Sequence, residues 1–287
     1  AAGPFHRYGS KLVASCIKNH AHYVDITGEN FWVKGLIKKH HAEASAKGIR
    51  IIPSCGFDSI PSDLGTFFSA QAIGKPIKRI ESFHSYKGGA SGGTLETMFS
   101  MGELDLGDDL TDPFLLNPEN SYSNEQKQLS SDSVGIARKP EISAWSGPFI
   151  MATANTRVVR RTEALLALRQ ESYGADFTYQ EHAYHKSWFS AVKSLLLTGL
   201  SVLVLLSPLK RLVKPFLPKP GEGPSESIQE NGWFDCKYIV ETDDGAKSVF
   251  NMNGRGDPGY KVTSKLVSEC ALCLIENEDD LPGGKEY

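Results

Sequence analysis

Three stretches of this 287-residue chain hold groups suited to chemistry. The first is a pair of turns, Thr27-Gly28-Glu29 and Cys55-Gly56-Phe57-Asp58-Ser59-Ile60-Pro61. Each follows a strand-like run, and in open α/β sheets ligands bind beyond the carboxyl ends of the strands, where such turns converge. Glu29 and Asp58 would there suit a ribose, an amide or a polar substrate group. The competing use is structural, because Asp58 and Ser59 can accept from the exposed amides of the helix that follows Pro61. The two uses stand level for Asp58, while Glu29 leans toward structure.

The second stretch is Gly88-Gly89-Ala90-Ser91-Gly92-Gly93, between a strand and a helix. Bare amides at a helix start can hold an anion, but the glycine spacing matches neither dinucleotide nor P-loop patterns. A flexible connection beside a substrate pocket is the better expectation. The third is Arg157-Val158-Val159-Arg160-Arg161. Guanidinium forks suit phosphates, although a charged helix face is more often simply solvated.

His20, His22, His40 and His41 lie on or beside helical runs without a nucleophile and carboxylate to complete them, so no Ser-His-Asp set follows from spacing. His182 and His185 receive no role. Cys270-x-x-Cys273 sits in an apolar-periodic helix with no second pair or nearby histidine. A structural zinc site takes about four ligands, so no metal is expected. Five cysteines, an odd number, make no secreted disulfide framework and point to reduced thiols in an intracellular protein.

The elements that must position these turns read as α/β. Lys11 to Asn19 is helical, with Leu12, Val13, Cys16 and Ile17 on one face. His22 to Ile26 is a strand, Phe31 to Lys47 a helix with Phe31, Gly35 and Ala42 turned inward, and Ile49 to Pro53 a second strand. A helix follows from about Ser62. From Pro76 the rhythm changes: Ile77 to Tyr86 is strand-like and Thr94 to Met101 helical. Glu103 to Glu141 is polar and reads as an irregular insertion. Thr156 to Gln170 is a helix and Phe177 to Tyr184 a strand. Trp233 to Glu241 and Ala246 to Met252 form a hairpin across Asp243-Asp244-Gly245, and Lys261 to Ile275 closes the chain as a helix. The expected class is the C-terminal part of a Rossmann-type doubly wound sheet over residues 1–72, joined to an α+β domain over residues 73–287.

Net charge is −3 with no long basic run, which excludes nucleic acid as the main partner. Leu195 to Leu206 holds nine Leu or Val residues in twelve. At about 1.5 Å per residue these rise roughly 18 Å, short of a hydrocarbon core of about 30 Å. Lys210, Arg211, Lys214 and Lys219 follow directly, among apolar residues and prolines. Segment 188–219 therefore reads as an interfacial membrane contact whose cations stay at headgroup level, against the alternative of a buried helix and a proline-rich loop.

Several motifs, taken together, resemble the saccharopine dehydrogenase-like oxidoreductases, a group that includes the trans-acting enoyl reductases. They are Gly3-Pro4-Phe5 with Tyr8-Gly9, His22-Tyr23-Val24-Asp25-Ile26-Thr27-Gly28-Glu29, Gly56-Phe57-Asp58-Ser59-Ile60-Pro61 through Gly65, Ser91-Gly92-Gly93-Thr94, Pro220-Gly221-Glu222-Gly223-Pro224, Gly232-Trp233-Phe234 and Gly256-Asp257-Pro258-Gly259-Tyr260. The resemblance implies hydride transfer with NADP or NAD on a lipid or acyl-lipid substrate, in a protein at a membrane or lipid-droplet surface and with a domain of a type used for homodimers. By family position Gly3, Pro4, Thr27, Gly28 and Glu29 would line the nicotinamide side. Gly56, Phe57 and Asp58 would face substrate, with Arg160 placed beside them and Asp58 as the catalytic candidate. The family's glycine-rich phosphate turn is not among these residues, so the chain is expected to be a fragment and inactive as written. The rival expectation is a non-catalytic lipid-surface protein of the same ancestry.

Overall fold

The computed structural model of the chain describes residues 3–89, 91–207, 209–219 and 221–281. Its first part is a βαβ unit. Helix α1 (Phe5–Lys18) leads to strand β1 (Tyr23–Val24), helix α2 (Asn30–Ala46), strand β2 (Ile51–Ile52) and helix α3 (Ile60–Ile73). β1 and β2 pair in parallel, Tyr23 opposite Ile51, with α2 as the crossover that a parallel pair requires. The strands are shorter than their apolar runs suggested. Val13 and Ile17 of α1 bury completely, and Phe5 stacks on Trp32 at 5.8 Å.

The inward face of α2 differs from the expected one. Trp32, Val33, Leu36, His40 and Ala44 are buried, whereas Gly35 and Ala42 face outward. Trp32 sets the phase: the helix buries its largest apolar side chain, and the stripe at 32, 36, 40 and 44 follows helical periodicity. Leu12, expected to be inward on α1, is half exposed.

The second part is a six-stranded mixed sheet with helices on it. Strand β3 (Ile77–Lys87) is followed by α4 (Gly92–Met101), α5 (Asn124–Leu129), β4 (Ala137–Lys139), β5 (Ala144–Gly147), α6 (Ala152–Leu168) and β6 (Thr178–His185). Then come α7 (Trp188–Leu206), α8 (Lys210–Val213), α9 (Glu226–Asn231), the hairpin β7 (Trp233–Thr242) and β8 (Lys247–Arg255), and α10 (Thr263–Glu276). The strand order is β4-β5-β6-β3-β7-β8, with β3 and β6 parallel and the other pairs antiparallel. The fold class is thus α/β, as the sequence suggested. The polar run from Glu103 to Glu141 is less irregular than expected, since it carries α5 and β4.

Alternation along the strands puts Ser82 and His84 of β3, Tyr179 and Glu181 of β6, and Cys236 and Tyr238 of β7 on one face. Helices α3 and α6 cover that face. Tyr238 donates its phenol to the carbonyl of Pro61 at 2.7 Å. A Cβ on Gly65 would lie 2.1 Å from the Tyr238 hydroxyl, so only glycine lets α3 sit this close. Among the described residues no helix is long and apolar enough to cross a membrane.

Candidate functional site

The loops at the ends of β1 and β2 meet the glycine-rich turn after β3 and the start of α10 around a two-chambered cavity. Chamber one, about 770 Å³, is lined by Gly3, Gly28, Glu29, Thr94, Gly259 and Tyr260 among others. Chamber two, about 640 Å³, is lined by Gly56, Phe57, His84, Leu95, Phe149 and Leu200 among others, and is mostly apolar. Asp58 is among the residues the two share, with Ile26, Ser91, Thr94, Met151 and Thr263. Asp58 therefore stands where they join.

The loop that presents Asp58 is fixed from both sides. Phe57 N donates to Thr263 Oγ1 at 3.0 Å, and the Phe57 ring packs edge-on against Phe234 at 4.9 Å. Asp58 does not cap α3: Ser59 occupies that position and neither residue makes a side-chain cap bond. Surrounding protein raises the Asp58 carboxyl to about 6, with burial as the cause.

The other carboxyls and the histidine on the walls are already committed. Asp25 accepts from the Tyr23 hydroxyl and from the amides of Thr27 and Ser54. Glu29 is buried and accepts from Phe5 N at 2.7 Å, His6 N at 2.8 Å and His6 Nδ1 at 2.6 Å. It holds the first turn of α1 while also lining chamber one. His84 has Nδ1 against Cys236 Sγ at 3.2 Å and Nε2 against Ser82 Oγ at 2.9 Å. Burial drives its pKa down to about 3, so a neutral ring, stacked on Phe149 at 5.0 Å, walls chamber two. Among the described residues, Asp58 is the carboxyl on these walls that makes no hydrogen bond.

Of the other expected site residues, Gly3, Gly28 and Glu29 reach chamber one, and Gly56 and Phe57 reach chamber two. Pro4 and Thr27 stand behind the wall; Thr27 Oγ1 accepts from Glu29 N at 3.1 Å. Arg160 is elsewhere. It is buried, and its guanidinium donates to the carbonyls of Pro113 at 2.9 Å and Tyr179 at 2.8 Å. Arg157 binds Asp132 and the Asp112 carbonyl, and Arg161 the Leu116 carbonyl. The arginine cluster fastens the 110–132 segment and offers no fork to a phosphate.

The glycine run is likewise a packing device. A Cβ on Gly92 would lie 1.8 Å from the carbonyl oxygen of Lys219, and Gly89 N donates to Asp257 at 2.7 Å. Asp257 also accepts from Tyr260 N, so this turn is tied to the Gly256–Tyr260 motif and is no loose connection. Ala1, Ala2, Ala90, Pro208, Pro220 and the last six residues lie outside the described residues.

Sequence reasoning missed a buried polar cluster behind chamber two. Glu181 Oε1 accepts from Asn155 Nδ2 at 2.7 Å and Ser62 Oγ at 3.2 Å, and Oε2 from the Tyr179 hydroxyl at 3.3 Å. Burial outweighs these donors and lifts its carboxyl to about 8. The five cysteines are free thiols, and no group of metal-ligating side chains occurs among the described residues.

A protein of Mycobacterium tuberculosis (strain H37Rv) that carries the trans-acting enoyl reductase name is 36% identical over 302 residues, covering 97% of this chain and 71% of its own length. The chain belongs to the trans-acting enoyl reductase family. Other members are the Mycobacterium leprae protein, 32% identical, and the Mycobacterium ulcerans protein, 30% identical, each covering 97% of this chain and 71% of the relative. No protein-family model matches. Among solved structures, a mutant meso-dapdh with DAP from Clostridium tetani aligns over 97% of this chain and 75% of its own at 11% identity and a TM-score of 0.36, too distant a likeness to carry an argument. The family is that of an oxidoreductase acting on acyl substrates, and its site must bring a reductant, an acyl group and a proton source together.

Proposed function

We propose that the cavity is the reducing site of an NAD(P)H-dependent enoyl reductase, with Asp58 as its general acid. The carrying observation is the position of Asp58: an uncommitted carboxyl, raised toward neutrality, at the junction of two chambers. A bound NADH or NADPH supplies the hydride. Chamber one suits the nicotinamide end, because the Gly28-Glu29 turn after β1 lines it and, among the described residues, neither chamber is lined by Lys or Arg to hold a diphosphate. Chamber two, walled by Leu95, Phe99, Phe149 and Leu200, takes the acyl chain. When the β-carbon of an enoyl group gains hydride, the α-carbon needs a proton, which Asp58 donates before recovering one from solvent. A general acid works best with a pKa near the operating pH, and burial brings Asp58 toward that range.

In the same reading residues 1–72 form the nucleotide side and residues 73–287 the substrate side. The wider kinship with saccharopine dehydrogenase-like oxidoreductases belongs to this proposal.

The test is fluorescence titration with NADPH and NADH, followed by oxidation of the bound form in the presence of a trans-2-enoyl N-acetylcysteamine thioester. Binding and turnover in the native chain, with turnover lost in Asp58→Asn, support the reading. A folded chain that binds neither dinucleotide overturns it.

A further inference from the structure

α7 has two uses in this structure. One side of it walls the cavity: Leu200, Ser201 and Val204 line chamber two, and Val202 lines chamber one. Its remaining surface carries Phe189, Leu196, Leu197 and Leu203 into the open, and α8 and the turn after it add Leu212 and Phe216, the last 88% exposed. Isolated exposed apolar residues need no explanation, but a contiguous run of this size marks an interaction surface.

Charge says which kind. Residues 188–219 contain Lys193, Lys210, Arg211, Lys214 and Lys219 and no Asp or Glu, five positive charges in a chain whose net charge is −3. Lys210 and Lys214 reach back to Glu103 and Glu96. Among the described residues the side-chain cations of Lys193, Arg211 and Lys219 pair with no carboxylate; the Lys219 amide donates to Glu222. An apolar face edged by unpaired cations fits anionic headgroups over acyl chains. At about 1.5 Å per residue, α7 is close to a bilayer core in length, yet it does not qualify as a span, so it would lie in the interface.

We propose that α7, α8 and the turn to Phe216 dock on an anionic phospholipid surface, and that an acyl chain passes from the leaflet over α7 into chamber two. The second half rests on the acyl reading of that chamber; the docking does not. A portal beside the docking face removes the need to bring an acyl chain through water, where each exposed methylene costs about 0.8 kcal/mol.

The experiment is flotation of the full chain with vesicles of phosphatidylcholine alone and of phosphatidylcholine with phosphatidylglycerol. Binding should favour the anionic vesicles and fall with salt. Removing a cation near an anionic surface costs about fivefold in affinity, so Arg211→Gln with Lys219→Gln should weaken binding about 25-fold. Phe216→Ser should weaken it at least about tenfold. A folded chain that floats with neither vesicle overturns the docking. So does a sedimentation profile showing a dimer that Phe216→Ser dissociates, which would assign the face to a second copy. For the portal the probe is cis-parinaric acid: Phe216→Ser should slow its uptake from vesicles and leave its binding from solution unchanged. Equal uptake from vesicles in both proteins overturns the portal. Failure to bind from solution would remove the acyl reading of chamber two, whatever the flotation result.

Discussion

Asn155 Nδ2 donates to Glu181 Oε1 at 2.7 Å, joining α6 to β6 within a fully buried cluster. Ser62 from α3 and Tyr179 also donate to it, and His84 Nε2 lies 3.2 Å from Glu181 Oε1. Burial outweighs these donors and keeps Glu181 a neutral acid, its carboxyl raised to about 8. The folded chain binds this proton more tightly than the unfolded chain does. Its contribution to stability is full below about pH 4.5 and is lost as pH rises through about 8.

Glu181→Gln keeps the acceptor that Asn155 and Ser62 use and removes the titration. At pH 9 the variant should be more stable than the native chain, on the order of a few kcal/mol, and the two should converge below pH 4.5. Urea midpoints across this range decide it. A native chain with no pH slope there would place the proton elsewhere.

Asp58→Asn tests the proposed acid. The shape is kept and the transferable proton is lost, so kcat should fall about 10²- to 10⁴-fold with KM little changed. In the native chain kcat/KM should decline as pH rises through about 6, because the protonated carboxyl is the active form. Steady-state kinetics between pH 5 and 8 would show the limb. A rise across the same range would make Asp58 a base and reverse its role.

How much of this was legible depends on how far apart the partners lie in the chain. The Asp58 loop and the β7–β8 hairpin are local, encoded by strand ends and by turn residues such as Asp243-Asp244-Gly245. The Glu181 cluster is not local. It arises because β3 lies between β6 and β7, which brings Ser82 opposite both Glu181 and Tyr238, and nothing near any of these residues announces that order. Glutamate in the middle of the strand-like run Phe177 to Tyr184 was the available signal, since an unpaired carboxyl on a central strand is costly. The arginines of α6 read as surface charge for the same reason: their partners are carbonyls 40 to 50 positions away, in a stretch that looked unstructured.

Glu29 should prove structural rather than cofactor-binding. Its carboxylate satisfies the two leading amides of α1 and the His6 ring, groups that a helix start leaves without internal partners. Glu29→Ala should lower unfolding free energy by about 2–4 kcal/mol, because buried donors would lose a charged acceptor. Glu29→Gln, which keeps one acceptor oxygen, should lose roughly half as much. Chemical denaturation measures both. A stable Ala variant with impaired dinucleotide binding would return Glu29 to the ligand.

Cys270 pairs with Cys55 and not with Cys273, its neighbour one helical turn away. Cys55, whose thiol donates to the Ile52 carbonyl at 3.2 Å, is the neighbour that brings the Cys270 pKa down to about 7, while Cys55 itself is pushed up. Cys55 adjoins Gly56 in the loop that carries Asp58, and its amide donates to the Asp25 carbonyl at 2.7 Å. The same loop is tied to the start of α10 by the Phe57 N to Thr263 Oγ1 bond, so Cys270 reports on the rear of the candidate site. Alkylation of Cys270 by iodoacetamide, followed by mass spectrometry, should show a midpoint near pH 7. Cys55→Ala removes the donor and should move that midpoint up toward about 8.5, the ordinary thiol value. Cys55→Ser, which retains a hydroxyl donor, should keep it low. If all three proteins titrate alike, the thiolate is stabilised by something other than Cys55. A low midpoint restored only by serine would show that the donor, and not the packing of the loop, sets the reactivity of α10.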